Sequence, residues 1–195
     1  RIGKQGETRG RQPHSNHGGM NRELISHIVR FVLLIGVQVF LLNNVHFSGM
    51  INPYIYLYFL LVLPVDFSPN AGLLLAFVLG LTIDLFSHTL GMHTIASVFF
   101  AYGRPYILRY MAPRDGYEFT RTISIRQMGW LWFLTFSTIM IFLHHFVLFF
   151  IETFRMSGLG FTFGKSIGST AITLFLIVII QLLFTRPPKS SLGYE

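Results

Sequence analysis

A single carboxylate lies inside a long apolar stretch of the chain. Asp84 follows the apolar residues 71–83, and Gly80 precedes it by one helical turn on the same helix face. A carboxylate in an apolar helix costs roughly 2.5–3.5 kcal/mol on insertion scales, so it needs a compensating contact. A glycine beside it lets another helix approach closely and donate to it. The pattern predicts either an internal polar contact that fixes helix packing or a contact with a partner or ligand.

Gly91 separates the apolar runs 71–86 and 94–108, and this arrangement is typical of a helical hairpin. In such a hairpin Asp84 lies near the C-terminal end of its helix, where the helix dipole disfavours an anion. A compensating donor is therefore expected near it. The candidates are His88, His93, Arg155 and Lys165.

Several histidines fall near the predicted helix ends on the same side as Asp84. Imidazoles together with a carboxylate can bind zinc. However, the chain has no HExxH motif, and it also has no Walker A, GxSxG or GxGxxG motif. It has no cysteine, which excludes disulfides and thiol catalysis. The sequence thus favours a protein without a metal, a cofactor or a catalytic centre, and zinc is the weaker alternative for His88, His93, His144, His145 and Asp84.

The composition is that of a membrane protein. Hydrophobic residues make up 52% of the 195 residues and charged residues only 12%, whereas soluble domains carry about 25% charged residues. The net charge is +7. Because the basic residues lie beside apolar runs, anionic lipid and membrane topology explain them better than nucleic acid does.

Six membrane-spanning segments are predicted, at about 24–42, 47–64, 71–88, 92–108, 128–151 and 167–184. In the second segment, Asn52 as a cap and Pro53 at the first helical position predict a helix, although 53–64 also has the length of a re-entrant segment. In the first, Gln38 is expected to face other helices. Residues 152–166, rich in Gly and Phe, are expected to be a connection.

The polar ends of the chain are expected to lie outside the helical domain. Residues 1–19 are polar and basic and are predicted to be disordered. Met20 is interpreted as the native start, which leaves 20–185 as the six-helix domain and 186–195 as a cytoplasmic tail.

The distribution of arginine and lysine predicts the orientation. If all six segments cross, the basic residues concentrate on one side, so both termini are expected to be cytoplasmic. If the second segment did not cross, the arginine-rich segment 104–126 would lie outside. That segment is interpreted as a topology determinant that contacts lipid, or alternatively as a cytoplasmic partner surface; it contains Arg104, Arg109, Arg114, Arg121 and Arg126.

Short motifs in the middle of the chain resemble those of a known family. They are Gly80-Leu-Thr-Ile-Asp84, Gly91-Met-His93, Phe99-Phe-Ala-Tyr-Gly-Arg104-Pro-Tyr and Ala112-Pro-Arg-Asp-Gly-Tyr117. Together they resemble the rod shape-determining protein MreD, in the form found in Bacteroidetes-like bacteria. The resemblance covers about Met20 to Phe184, and its most specific part is 71–118.

The resemblance implies an all-α membrane protein of six transmembrane helices, similar in fold to the substrate-binding subunits of energy-coupling-factor transporters. It also implies a non-enzymatic inner-membrane scaffold of the cell-elongation machinery, which directs rod shape and peptidoglycan synthesis. The implied partner is an MreC-like single-pass protein, associated with RodA, a class B penicillin-binding transpeptidase and the actin-like MreB. The residues expected to bind the partner or pack helices are Gly80, Asp84, Gly91, His93, Arg104 and Pro105.

The same fold leaves a second interpretation open, a vitamin-binding subunit of an energy-coupling-factor transporter. Such subunits typically dock to their energising subunit through an Ala-x-x-x-Ala motif on the first helix. The first span here contains Gly36-Val-Gln38 and no such motif. The outer loops are also poor in the polar groups that a ligand pocket needs.

Overall fold

A computed structural model describes residues 17–42, 51–114, 116–117, 123–154 and 158–184, with side chains from 28 to 183 within those ranges. These residues form helices and turns and no strand. The helices are α1 (His17–Phe40), α2 (Leu57–Leu61), α3 (Pro69–Ser87), α4 (Met92–Tyr110), α5 (Ile125–Met128), α6 (Trp130–Thr153) and α7 (Leu159–Phe184).

The described helices include three that are long and apolar enough to cross a membrane, Pro69–Ser87, Trp130–Thr153 and Leu159–Leu183. Helix α1 adds a shorter apolar stretch, Ile28–Phe40. The prediction of an all-α protein with membrane-spanning helices is confirmed, whereas the number of six spans stays a prediction.

The α3–α4 hairpin forms as the sequence predicts, with ends within two residues of the expected ones. Pro69 begins α3, where its missing N–H would have had no helical partner. The chain leaves α3 through a left-handed residue, His88 (φ 53°), and enters α4 through Gly91 (φ 80°). Helix α4 then packs against α6, and α6 packs against α7.

Two helix starts differ from the prediction. Helix α7 begins at Leu159, so the expected connection 152–166 is wrong over its second half. Gly160 and Gly164 lie in the first turns of α7. Because a glycine costs about 1 kcal/mol in a helix relative to alanine, these residues did not indicate a helix. Helix α1 begins at His17, inside the tail predicted to be disordered; residues 1–16 and 186–195 lie outside the described residues.

The second predicted span is not the helix that Asn52 and Pro53 indicated. Within its described part, 51–64, only the five residues of α2 are helical, and the chain before them is held by side chains of two other helices. From α7, the Ser169 hydroxyl accepts the N–H of Asn52 and the Thr173 hydroxyl accepts the N–H of Tyr54, each at 3.1 Å. These hydroxyls hold the non-helical backbone before α2 against α7.

Gln38 of α1 binds the same piece of chain. Its Oε1 accepts the N–H of Ile55 at 2.9 Å, and its Nε2 donates to the carbonyl of Pro53 at 3.1 Å. The prediction that Gln38 points inward is confirmed, since it is 1% exposed.

The segment 51–64 runs through the middle of the protein. It lies antiparallel to α1, because Gln38 binds residues 53–55 while Phe31 contacts Phe59, with 5.2 Å between ring centroids. It lies parallel to α7, because Tyr58 further along it meets Gln181 at 3.3 Å. Residues 55–63 are at most 7% exposed. Non-helical backbone at membrane depth is tolerated only where protein encloses it in this way.

Candidate functional site

The Asp84 carboxylate is 3% exposed and binds the start of the next helix. Its Oδ2 accepts the backbone N–H of Thr94 at 2.9 Å and the Thr94 hydroxyl at 2.6 Å. Its Oδ1 accepts the backbone N–H of His93 at 3.0 Å and the Thr89 hydroxyl at 2.5 Å. We call Asp84, Thr89, His93 and Thr94 the Asp84 cluster.

The expected donors to Asp84 are confirmed in part. His93 is one of them, and its Nδ1 also lies 3.1 Å from Oδ1. The hydroxyls of Thr89 and Thr94 were not foreseen, although their positions just before and just inside the second helix were a usable signal. Of the other candidates, Lys165 pairs with Glu152 at 2.7 Å, and Arg155 lies outside the described residues. His88 is exposed at the end of α3.

Asp84 acts as the cap that α4 otherwise lacks. Gly91 precedes α4 and has no side chain to accept the free N–H groups of the first turn. Asp84 accepts two of them from the neighbouring helix. It therefore stands at the N-terminal end of the α4 dipole, which favours an anion, as well as at the unfavourable end of α3. From the sequence, only the unfavourable dipole of α3 was predicted.

Gly80 permits the contact. A Cβ atom at Gly80 would lie 2.5 Å from the Thr94 Cα and 2.8 Å from the His93 carbonyl oxygen. Both are backbone atoms that cannot turn aside. The predicted close approach of a second helix at this glycine is confirmed, and it places the N–H groups of α4 within reach of Asp84.

Beside the Asp84 cluster, aromatic and histidine rings fill the interior between the segment 51–64, α4 and α6. The Tyr54 ring lies 5.2 Å from His93, 5.3 Å from His145 and 6.2 Å from His144. The Tyr56 hydroxyl lies 2.9 Å from His144 Nε2. We call these five residues the ring cluster. His144 and His145 are fully buried, so sequence reasoning that placed them at a helix end missed their packing.

The ring cluster brings three of the four histidines considered for zinc into one region. Within the described ranges, no group of three or more His, Cys, Asp or Glu side chains is arranged to hold a metal ion. The Tyr54 ring contacts His93 of α4 and His145 of α6, whereas His88 is exposed at the end of α3. The Nδ1 of His145 is engaged by the Ile141 carbonyl at 2.8 Å.

Arg104 begins the arginine-rich segment 104–126, and the expectation that it lies at the surface with the other arginines is wrong. Arg104 and Pro105 are inside α4, and Arg104 is 6% exposed. Its Nη2 donates to the carbonyl of Leu63 and also, at 3.3 Å, to the carbonyl of Pro64. It thus binds the end of the buried segment 51–64.

The other arginines of the predicted basic segment are placed differently from Arg104. Arg109 is exposed in the last turn of α4, Arg114 is exposed in the following turn, and Arg126 is exposed on α5. Arg121 lies outside the described residues. The exposed positions are compatible with contacts to lipid or to a partner.

Hydrogen bonds fix the turn after α4. The Tyr117 hydroxyl donates to the Leu108 carbonyl at 2.7 Å, and the Trp132 indole donates to the Met111 carbonyl at 2.8 Å. Burial raises the pKa of the Tyr117 phenol, and the nearby Arg104 guanidinium opposes this rise. Trp132 therefore fastens this turn to α6.

A cavity of about 250 Å³ opens beside Arg104, at the opposite end of α4 from the Asp84 cluster. Its walls come from the segment 60–69, α3 and α4. Most of the wall is apolar, and Asp66, Ser68 and Arg104 supply polar groups. We call this space the Arg104 cavity.

Comparisons of the chain with protein-family models, with curated proteins and with solved structures find no match.

Proposed function

We propose that this protein is a non-enzymatic scaffold of the bacterial inner membrane that binds an MreC-like single-pass protein in the cell-elongation machinery. The observation that carries the proposal is the Asp84 cluster. Gly80, Asp84 and His93 belong to the motifs that carry the resemblance, and all three serve one helix–helix joint. Motif residues of an enzyme or a ligand-binding protein would instead direct polar atoms toward a substrate.

The hydrogen bonds of Asp84 support a structural role. Both carboxylate oxygens are occupied, and the donors are two backbone N–H groups, two hydroxyls and an imidazole. A general base or a metal ligand needs a lone pair that faces the reacting group. Asp84 offers its oxygens to the protein itself, so it suits a rigid hairpin that presents its outer faces to other membrane helices.

The path of the buried segment favours six crossings in this proposal. The segment 51–64 lies antiparallel to α1 and parallel to α7, which is the direction expected of a second span. With six crossings, Arg109, Arg114 and Arg126 would lie on the side of the N-terminus. By the positive-inside rule this side is the cytoplasm.

The vitamin-binding alternative is less well supported. Its ligand pocket would lie at the Asp84 end, and there the ring cluster occupies the interior. Ligand pockets of small molecules are commonly about 300–1,000 Å³. The Arg104 cavity is smaller, at about 250 Å³, and opens at the other end.

Affinity purification of the full chain from a rod-shaped bacterium, after mild detergent extraction, tests the proposal. Native mass spectrometry should show a single-pass membrane partner at stoichiometric amount and no tightly bound vitamin. The control is Glu152→Gln, which neutralises an exposed carboxylate, keeps an oxygen that accepts from Lys165 and should retain the partner. Stoichiometric thiamine, riboflavin or biotin, with an ATPase in place of the single-pass protein, would establish the transporter class instead.

A further inference from the structure

Arg104 is a buried cation whose guanidinium is only partly engaged. It is 6% exposed, its Nη2 binds two carbonyls, and its Nε has no hydrogen-bond partner. In the part of the chain that the structure describes, no carboxylate lies within 4.0 Å of it. A buried charge without a counterion carries a large desolvation cost, and a buried guanidinium is a strong binder of phosphate and carboxylate groups.

The wall of the Arg104 cavity restricts what could supply the anion. Leu60, Leu63, Phe67 and Leu108 make one side of the space apolar. A free inorganic anion would bind Arg104 but would leave this apolar wall against water. An amphiphile satisfies both parts, because its charged group meets the guanidinium and its chain covers the apolar wall.

We propose that the Arg104 cavity binds one phospholipid, with its phosphate on the Arg104 guanidinium and the start of an acyl chain along the apolar wall. The cavity, about 250 Å³ in volume, accommodates part of a phospholipid, and the remaining chain lies along the outside of α3. Helix α3 is one of the helices apolar enough to lie in the bilayer, so the ligand reaches the cavity from there.

The second charge in the cavity selects the head group. Asp66 lines the same space and is exposed at its edge. A phosphoethanolamine head group carries an ammonium next to its phosphate, so it complements Asp66 and Arg104 together. Phosphatidylglycerol has the phosphate alone and places hydroxyls where Asp66 favours a cation. The site therefore prefers phosphatidylethanolamine.

Two variants remove the ligand by different means. Gly72→Leu fills the space, because a Cβ at Gly72 has only the Phe67 ring within 4 Å, at 3.9 Å. Arg104→Gln removes the charge but retains an amide donor for the carbonyls of Leu63 and Pro64. Arg109→Gln is the control, since Arg109 is an exposed arginine on the same helix.

Native mass spectrometry of the delipidated full chain, titrated with phosphatidylethanolamine, phosphatidylglycerol or inorganic phosphate, measures binding. The wild type and Arg109→Gln should bind one phosphatidylethanolamine. Arg104→Gln should bind it at least about tenfold more weakly, which is the loss expected for a charge-assisted hydrogen bond. Gly72→Leu should also bind it at least about tenfold more weakly, because its side chain fills the cavity. Melting temperatures without lipid show whether each variant is folded.

Several results would overturn the proposal. Unchanged binding by folded Arg104→Gln and Gly72→Leu would mean that lipid binds elsewhere. If inorganic phosphate bound as tightly as phosphatidylethanolamine, the cavity would be a simple anion site. If Asp66→Asn left the preference for phosphatidylethanolamine intact, the role of Asp66 would be wrong. None of these results depends on whether the chain binds a single-pass partner, so this inference and the scaffold proposal can fail separately.

Discussion

Substitution of Asp84 tests whether the carboxylate holds α3 and α4 together. Asp84→Leu removes both acceptors from the N–H groups of His93 and Thr94, which are 5% and 9% exposed. Each buried donor left unpaired costs about 1–3 kcal/mol, so the variant should lose about 2–6 kcal/mol of stability. Asp84→Asn keeps one oxygen and turns an amide donor toward the other N–H, so it should lose about 1–3 kcal/mol.

These losses can be measured as melting temperatures of the purified protein in detergent. At about 2–4 °C per kcal/mol for a chain of this size, the leucine variant should melt about 4–24 °C lower and the asparagine variant about 2–12 °C lower. Glu152→Gln is the matched control, because it neutralises a carboxylate that is 46% exposed and its amide oxygen can still accept from the Lys165 ammonium. A leucine variant as stable as this control would refute the cluster as the joint of the hairpin. Equal losses for leucine and asparagine would show that the charge, rather than the number of acceptors, holds α4.

Three further results are expected. Gly80→Ala should lower stability by about 1–3 kcal/mol because its methyl group meets backbone, whereas Gly164→Ala, with no atom within 4 Å, should be neutral or slightly stabilising in the same melting assay. In spheroplasts an impermeant thiol reagent should label Leu90→Cys, which is 98% exposed between α3 and α4, and should label the exposed Gln127→Cys only after permeabilisation; the reverse pattern would invert the topology. Gln38→Leu should cost about 2–6 kcal/mol through the two backbone groups it leaves unpaired, and an unchanged melting temperature would show that water replaces the amide.

The α3–α4 hairpin was predictable because its signals are local. Apolar runs of helix length, a proline at the start and Gly91 between the helices fix both elements within a short stretch of chain. Gly80 and Asp84 on one face also indicated a polar contact with a second helix. The particular donors were less predictable, because a capping interaction between two helices depends on how closely their ends approach.

The second span was not predictable by the same means. Its residues are apolar and of nearly spanning length, yet the backbone is mostly non-helical because Gln38, Ser169 and Thr173 bind it. Two of these partners are more than a hundred positions away in the chain. Arg104 shows the same limit: the positive-inside rule describes basic residues near span ends, but it cannot tell a surface arginine from one that binds the end of a buried segment.

The buried segment 51–64 has a consequence for how the protein is made. A helix can enter the bilayer as it is synthesised because it satisfies its own backbone, but the residues before α2 cannot. The N–H groups of Asn52 and Tyr54 find their acceptors on α7, the last of the described helices. A nascent chain that stops before α7 lacks both of these acceptors. The hydrogen bonds of the buried segment are therefore completed only when α7 is in place.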